Sequence, residues 1–134
     1  MGIIISIKPC FSEQIYLGNK VIELRKRLSA SFTRGAELYI YTSSPVKAIT
    51  GVAIIDEVEN LPVQKIKKQY LSAACISSKA FDDYYNGHDH GSIIKLKKII
   101  RFTDEISLST LREKGFTAPQ SFCYLTDAVR SLIK

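Results

Sequence analysis

Within the run Gly18-Asn19-Lys20-Val21-Ile22-Glu23-Leu24-Arg25, a cation, a carboxylate and a second cation stand close together. An ammonium such as that of Lys20 suits a phosphate or a developing oxyanion. A carboxylate such as that of Glu23 accepts protons from an exocyclic amine or a ribose hydroxyl. In an enzyme, Glu23 is the candidate general base and Lys20 the group that stabilises negative charge. Glu23 and Arg25 are two apart and therefore share one face of a strand. The plain alternative is a same-face ion pair, which contributes little when exposed. Lys8 lies opposite Ile7 at the end of an apolar run and is placed to reach the same site; otherwise it is an ordinary rim lysine. Arg27, with Lys26 and Arg34, extends a positive strip suited to positioning phosphates without reading sequence.

Tyr39, Tyr41 and Tyr124 are candidates for base stacking, worth about 1–3 kcal/mol per base where it occurs. Half-buried structural tyrosines are the equal alternative. Ser43, Ser44, Gln120 and Ser121 sit in turn-like segments, where hydroxyl and amide groups either meet a base edge or phosphate or serve the turns themselves. His88-Asp89-His90 has no third ligand at suitable spacing, so no metal is expected. No cofactor is expected either. Cys10, Cys75 and Cys123 are odd in number and far apart, which reads as three reduced, mostly buried thiols.

These residues need elements to hold them. Residues 3–8 read as a strand and residues 10–17 as a short helix, with Pro9 tolerated in its first turn and Gly18-Asn19 ending it. Residues 20–27 alternate, placing Ile22 and Leu24 opposite Glu23, Arg25 and Arg27. Residues 37–41 form a strand, and residues 46–58 a long apolar strand whose Gly51 predicts a bulge or corner. Helices follow near 62–71 and 77–86, a strand over 92–102, a short helix over 108–113 and a closing helix near 126–133. Strand and helix do not alternate regularly, so a doubly wound sheet is excluded. The order suits an α+β fold: a small, mostly antiparallel β-barrel with helices packed at its ends.

The 134 residues carry 19 basic and 13 acidic side chains, a formal charge of +6. That length fits one domain over residues 1–134, and the charge permits a polyanionic partner. Residues 61–101 hold eight basic and three acidic groups, and Lys95 and Lys97 alternate with Leu96, the pattern of a solvated strand face. The N-terminus lacks a signal-peptide pattern and no apolar stretch is long enough to span a bilayer, which predicts a cytoplasmic protein without a membrane partner.

Lys8, the Gly-x-Lys-x-x-Glu-x-Arg strand, Tyr41-Thr42-Ser43-Ser44-Pro45 and Pro119-Gln120-Ser121 together resemble an ASCH domain of the PUA-like superfamily, over roughly Ile3 to Tyr124. The resemblance implies a partly open barrel whose cleft, between the first helix, the charged strand and a late loop, holds RNA or a nucleotide-like ligand. It favours ligand contact by Lys20, Glu23 and Arg25. One branch of such proteins consists of amidohydrolases acting on acetylcytidine, with a threonine nucleophile three residues after the lysine. Glu23 stands at that position here and supplies no hydroxyl. The expectation is therefore an RNA- or nucleotide-binding domain with a basic cleft. The alternative is a small hydrolase acting on a modified nucleoside, or on RNA phosphodiesters through Lys20 and Glu23.

Overall fold

A computed structural model describes residues 2–133 of the chain. Six strands form one sheet in the order β2-β5-β4-β3-β1-β6. They are β1 (Gly2–Ile7), β2 (Ile22–Arg25), β3 (Glu37–Thr42), β4 (Ala48–Pro62), β5 (His90–Ser107) and β6 (Phe122–Tyr124). The helices are α1 (Pro9–Tyr16), α2 (Val63–Tyr70), α3 (Ser78–Tyr85), α4 (Leu108–Arg112) and α5 (Asp127–Arg130). The α+β class is as the sequence predicts, but the sheet is open and mixed rather than the mostly antiparallel barrel expected. β1 runs parallel to β3, and β2 and β6 remain as two edges.

The burial of β1 on both faces has a physical cause in β1 itself. Ile3, Ile5 and Ile7 enter one core cluster with Leu38, Ile40 and Ile55, while Ile4 enters a second with Tyr39, Tyr41, Ile49 and Phe116. A strand covered on both faces needs the unbroken apolar run that Ile3-Ile4-Ile5 supplies. α4 and α5 cover the second cluster through Leu108, Leu111 and Val129. A third cluster joins Ile22 and Leu24 of β2 to Ile66, Phe81 and Tyr85 of α2 and α3. The two helices between β4 and β5 thus build their own wall beside β2.

The bulge expected at Gly51 is present: the pairing of β3 with β4 shifts between Ile40↔Gly51 and Tyr41↔Ile49, leaving Thr50 as the extra residue. A side chain at Gly51 would strike the Ile100 carbonyl and the Tyr16 ring, so only glycine lets β4 run this close to both. Tyr16 Oη lies 2.6 Å from Thr50 Oγ1, which lies 2.8 Å from Thr42 Oγ1, and Thr42 donates to Ser12 Oγ at 3.1 Å. This chain of hydroxyls fastens α1 to the bulge. β5 is longer than expected, reaching Ser107, and the three-residue β6, just after the Pro119-Gln120-Ser121 turn, pairs with β1 where no element is expected.

Candidate functional site

α1 begins immediately after β1. Lys8 is its N-cap with extended backbone (φ −63°, ψ 146°), and Pro9 takes the first helical position, where a missing N–H leaves no bond unmade. Gly18, at φ 85°, turns the chain back out of the helix, and Lys20 then leads into β2. The next two residues of the chain fasten the inserted helices: Val21 N–H and Ile22 N–H both donate to the Ala73 carbonyl. A cavity of about 420 Å³ opens between α1, β2, the segment around Ala74 and Ile76, α3 and the loop at Pro119-Gln120. That size falls within the roughly 300–1,000 Å³ typical of small-molecule sites.

Lys20, Glu23 and Arg25 line this cavity together. Lys20 is 3% exposed. Its Nζ donates to the carbonyls of Ile22 and Ala74, each at 2.8 Å, and lies 3.3 Å from Glu23 Oε1. Two of its three hydrogens are engaged by carbonyls, and the Glu23 carboxylate pairs with its charge. Phe11 of α1 lies beneath it, with the ring centroid 5.0 Å from Nζ. Glu23 Oε2 takes both Nε of Arg25 at 2.9 Å and Nη2 at 2.7 Å. Its carboxylate keeps one lone-pair position, on Oε1, for a further donor.

Arg25 also crosses the open seam of the sheet. Nη2 donates to the Ser6 carbonyl on β1 at 2.8 Å and Nη1 to Ser121 Oγ at 3.3 Å. One of its five N–H groups remains free for a ligand. The cavity therefore offers one acceptor and one donor side by side on a floor fixed by buried charges. Catalytic use of the floor is constrained by the same bonds. A general base at Glu23 would have to work between two cations, and Lys20 is buried with its charge already paired.

Lys8, Ser43 and Gln120 also border the cavity. Lys8 is exposed, and its ammonium has no hydrogen-bond or carboxylate partner among the described residues. Ser121 reaches the site through Arg25 only. The other expected positions lie elsewhere. Tyr41 is 3% exposed in the second core cluster, with its ring centroid 5.6 Å from that of Phe116. Alternation along β3 sends Tyr39 and Tyr41 to the face opposite Leu38 and Ile40, and the cavity is not on the tyrosine face. Ser44 is exposed in the turn after β3, where its peptide bond to Pro45 is cis, and Arg27 is exposed beyond the end of β2; neither borders the cavity. Tyr124 is exposed and held by the hydroxyls of Ser29 and Ser31 at 3.3 and 3.1 Å. Cys10 is exposed in the first turn of α1, rather than buried, and carries no disulfide.

The sequence reading passes over Ser6, Phe11 and the wall formed by Ala74, Ile76 and Tyr84. Nothing in the spacing of residues 62–86 marks them; their approach to β2 follows from the pairing of β4 with β5. Tyr84 is half-buried, and burial pushes its hydroxyl above the usual tyrosine range, against the smaller pull of nearby Arg25.

The model of a family described as a domain of unknown function, DUF365, matches residues 1–113. An ASCH domain-containing ribonuclease of Zymomonas mobilis is 29% identical over 126 residues, covering 91% of this chain and 82% of that protein. The large ribosomal subunit protein uL22 of Ureaplasma parvum is 31% identical over 87 residues, 64% of this chain but 27% of its own length. The crystal structure of ASCH from Zymomonas mobilis superposes with a TM-score of 0.91 and 27% identity, over 98% of this chain and 93% of that one. The N-terminal domain of Staphylothermus marinus McrB, with a TM-score of 0.58 and 11% identity over 97% of this chain and 93% of its own, shares the fold.

Proposed function

Since this chain belongs to the DUF365 family and is an ASCH domain protein of the PUA-like superfamily, we propose that it binds RNA, seating one nucleotide in the cavity beside Arg25. The observation that carries this reading is the floor itself. A buried acceptor on Glu23 and a free N–H on Arg25 lie in a nucleotide-sized, partly apolar space, with unpaired Lys8 at its rim. A base edge needs such a donor and acceptor, and a phosphate needs such a lysine. The Zymomonas mobilis relative, named a ribonuclease, supports RNA as the ligand class. In this reading Lys20 holds Glu23 in place, Arg25 and Glu23 touch the ligand, and Lys8 positions phosphate.

The test is fluorescence anisotropy of short single-stranded RNA and the matching DNA, with wild type and Lys8→Ala. Tighter binding of RNA, weakened several-fold in the variant, is expected. Equal affinity of the variant for RNA removes Lys8 and with it the proposed orientation.

The ribonuclease relative also favours a second reading, cleavage of the bound phosphodiester. Mass spectrometry of RNA after incubation separates the two. Recovery of intact RNA supports binding alone, and new fragments, absent with Glu23→Gln, support hydrolysis at this site.

A further inference from the structure

The wall of the cavity beside the charged floor comes from the helical insertion, and it is aromatic and apolar: Tyr84, Ile76 and Ala74, with Phe11 added from α1. Such a surface gains nothing from ribose or phosphate. It suits the π-face of a base, and that face is open only when the nucleotide is unpaired. Tyr84 is built to hold its position. Its ring meets Tyr85 edge-on at 4.8 Å and 72°, and Tyr85 Oη donates to the Arg25 carbonyl at 3.0 Å. Ser77 caps α3 by accepting from Ala80 N–H at 3.1 Å. The ammonium of Lys26 stands 4.9 Å from the Tyr84 ring centroid and has no carboxylate partner among the described residues. This cation thus lies over the ring of the aromatic platform, one residue past Arg25, with its charge met by no carboxylate among the described residues.

We infer that the site takes an unpaired base of single-stranded RNA stacked on Tyr84, with the adjoining phosphate drawn to Lys26. This rests on the RNA reading and names the form of RNA that the site accepts. The insertion is then the base-binding wall, and Tyr84 fills the stacking role that Tyr41, buried in the second core cluster, does not.

The test titrates the full chain into a short single-stranded RNA carrying one 2-aminopurine, whose fluorescence falls on stacking, alongside the same RNA in a duplex. Expected for wild type are quenching by the single strand and little by the duplex. Tyr84→Phe keeps both affinity and quenching. Tyr84→Leu loses the quenching and binds roughly tenfold or more weakly. Photocrosslinking of wild type to 4-thiouridine RNA needs no variant, and a crosslink at Tyr84 is expected even should Tyr84→Leu misfold. RNA binding with quenching unchanged in Tyr84→Leu, or a crosslink confined to other faces, overturns the stacking inference and leaves the RNA reading intact. Absence of any RNA binding by wild type overturns both.

Discussion

Lys8 and Lys20 look equivalent as residue types, yet the structure gives them opposite environments. Lys20 is buried with three acceptors around its ammonium, whereas Lys8 is exposed at the start of α1. Removing one partner from a buried, bonded charge cluster costs about 3–5 kcal/mol, because the remaining groups stay desolvated. Lys20→Met would orphan the Ile22 and Ala74 carbonyls and loosen the clamp between β2 and the insertion. Urea denaturation should therefore show a loss of that size for Lys20→Met, and a change within about 0.5 kcal/mol for Lys8→Met. Equal losses would mean that the clamp contributes little. The Lys-x-x-Glu-x-Arg spacing made the proximity of Lys20, Glu23 and Arg25 legible from the chain. It could not reveal how far their hydrogens were taken, because Ala74 and Ser121 come from distant segments. Local spacing reports which groups share a face; saturation of a donor depends on what folds onto that face.

At the scale of elements, α1 is held by hydroxyls as well as by Ile15, which is buried in the first core cluster. Tyr16 is the outermost link of the chain that runs through Thr50 and Thr42 to Ser12. Burial raises the Tyr16 hydroxyl from 10.0 to about 12, outweighing the opposing pull of Thr50 and Arg101. The unfolded chain therefore ionises first as pH rises past 10, while the folded chain still holds its proton. Stability from this group is complete below pH 10 and is lost as pH rises towards 12. Tyr16→Phe should lower stability at neutral pH by about 1 kcal/mol, through loss of one hydrogen bond. It should also flatten the alkaline limb of the stability curve by up to about 1.4 kcal/mol per pH unit between those values. A parallel downward shift at every pH would show that Tyr16 does not titrate with unfolding. Gly51 announced the bulge that this chain of hydroxyls uses, since a glycine inside a long apolar strand has few other reasons to be there. β6 gave no comparable signal: three residues are too few for a period. The burial of β1 on both faces was written in its apolar run, but its partners and their directions are chosen by connections that local pattern does not encode.

Across the whole molecule, the excess of cations is distributed differently from the sequence count. In the lysine-rich middle of the chain, Lys67, Lys79, Lys95, Lys97 and Arg101 each face a carboxylate, and these exposed pairs form the solvated face expected there. Lys65, Lys68 and Lys98 of that stretch have no carboxylate partner among the described residues. Beside the cavity, Lys8 at its rim, and Lys26 and Arg27 following β2, have none among them either. A polyanion is attracted by net local charge, and the unpaired cations beside the cavity are the ones placed to guide a strand into it. For single-stranded RNA, log affinity falls with log salt by about 0.7 for each phosphate neutralised, giving a slope near −2 for three contacts. Lys8→Ala should reduce that slope by about 0.7. Lys114→Ala should leave it unchanged, because Lys114 follows α4, which packs on the sheet face away from the cavity. Equal effects of the two substitutions would mean that RNA is held by overall charge, and the cavity would lose its claim to direct the strand. A slope changed by Lys8→Ala alone would fix the path of the phosphates along the edge where Arg25 joins β2 to β1, placing the bound strand across the one seam that the sheet leaves unpaired.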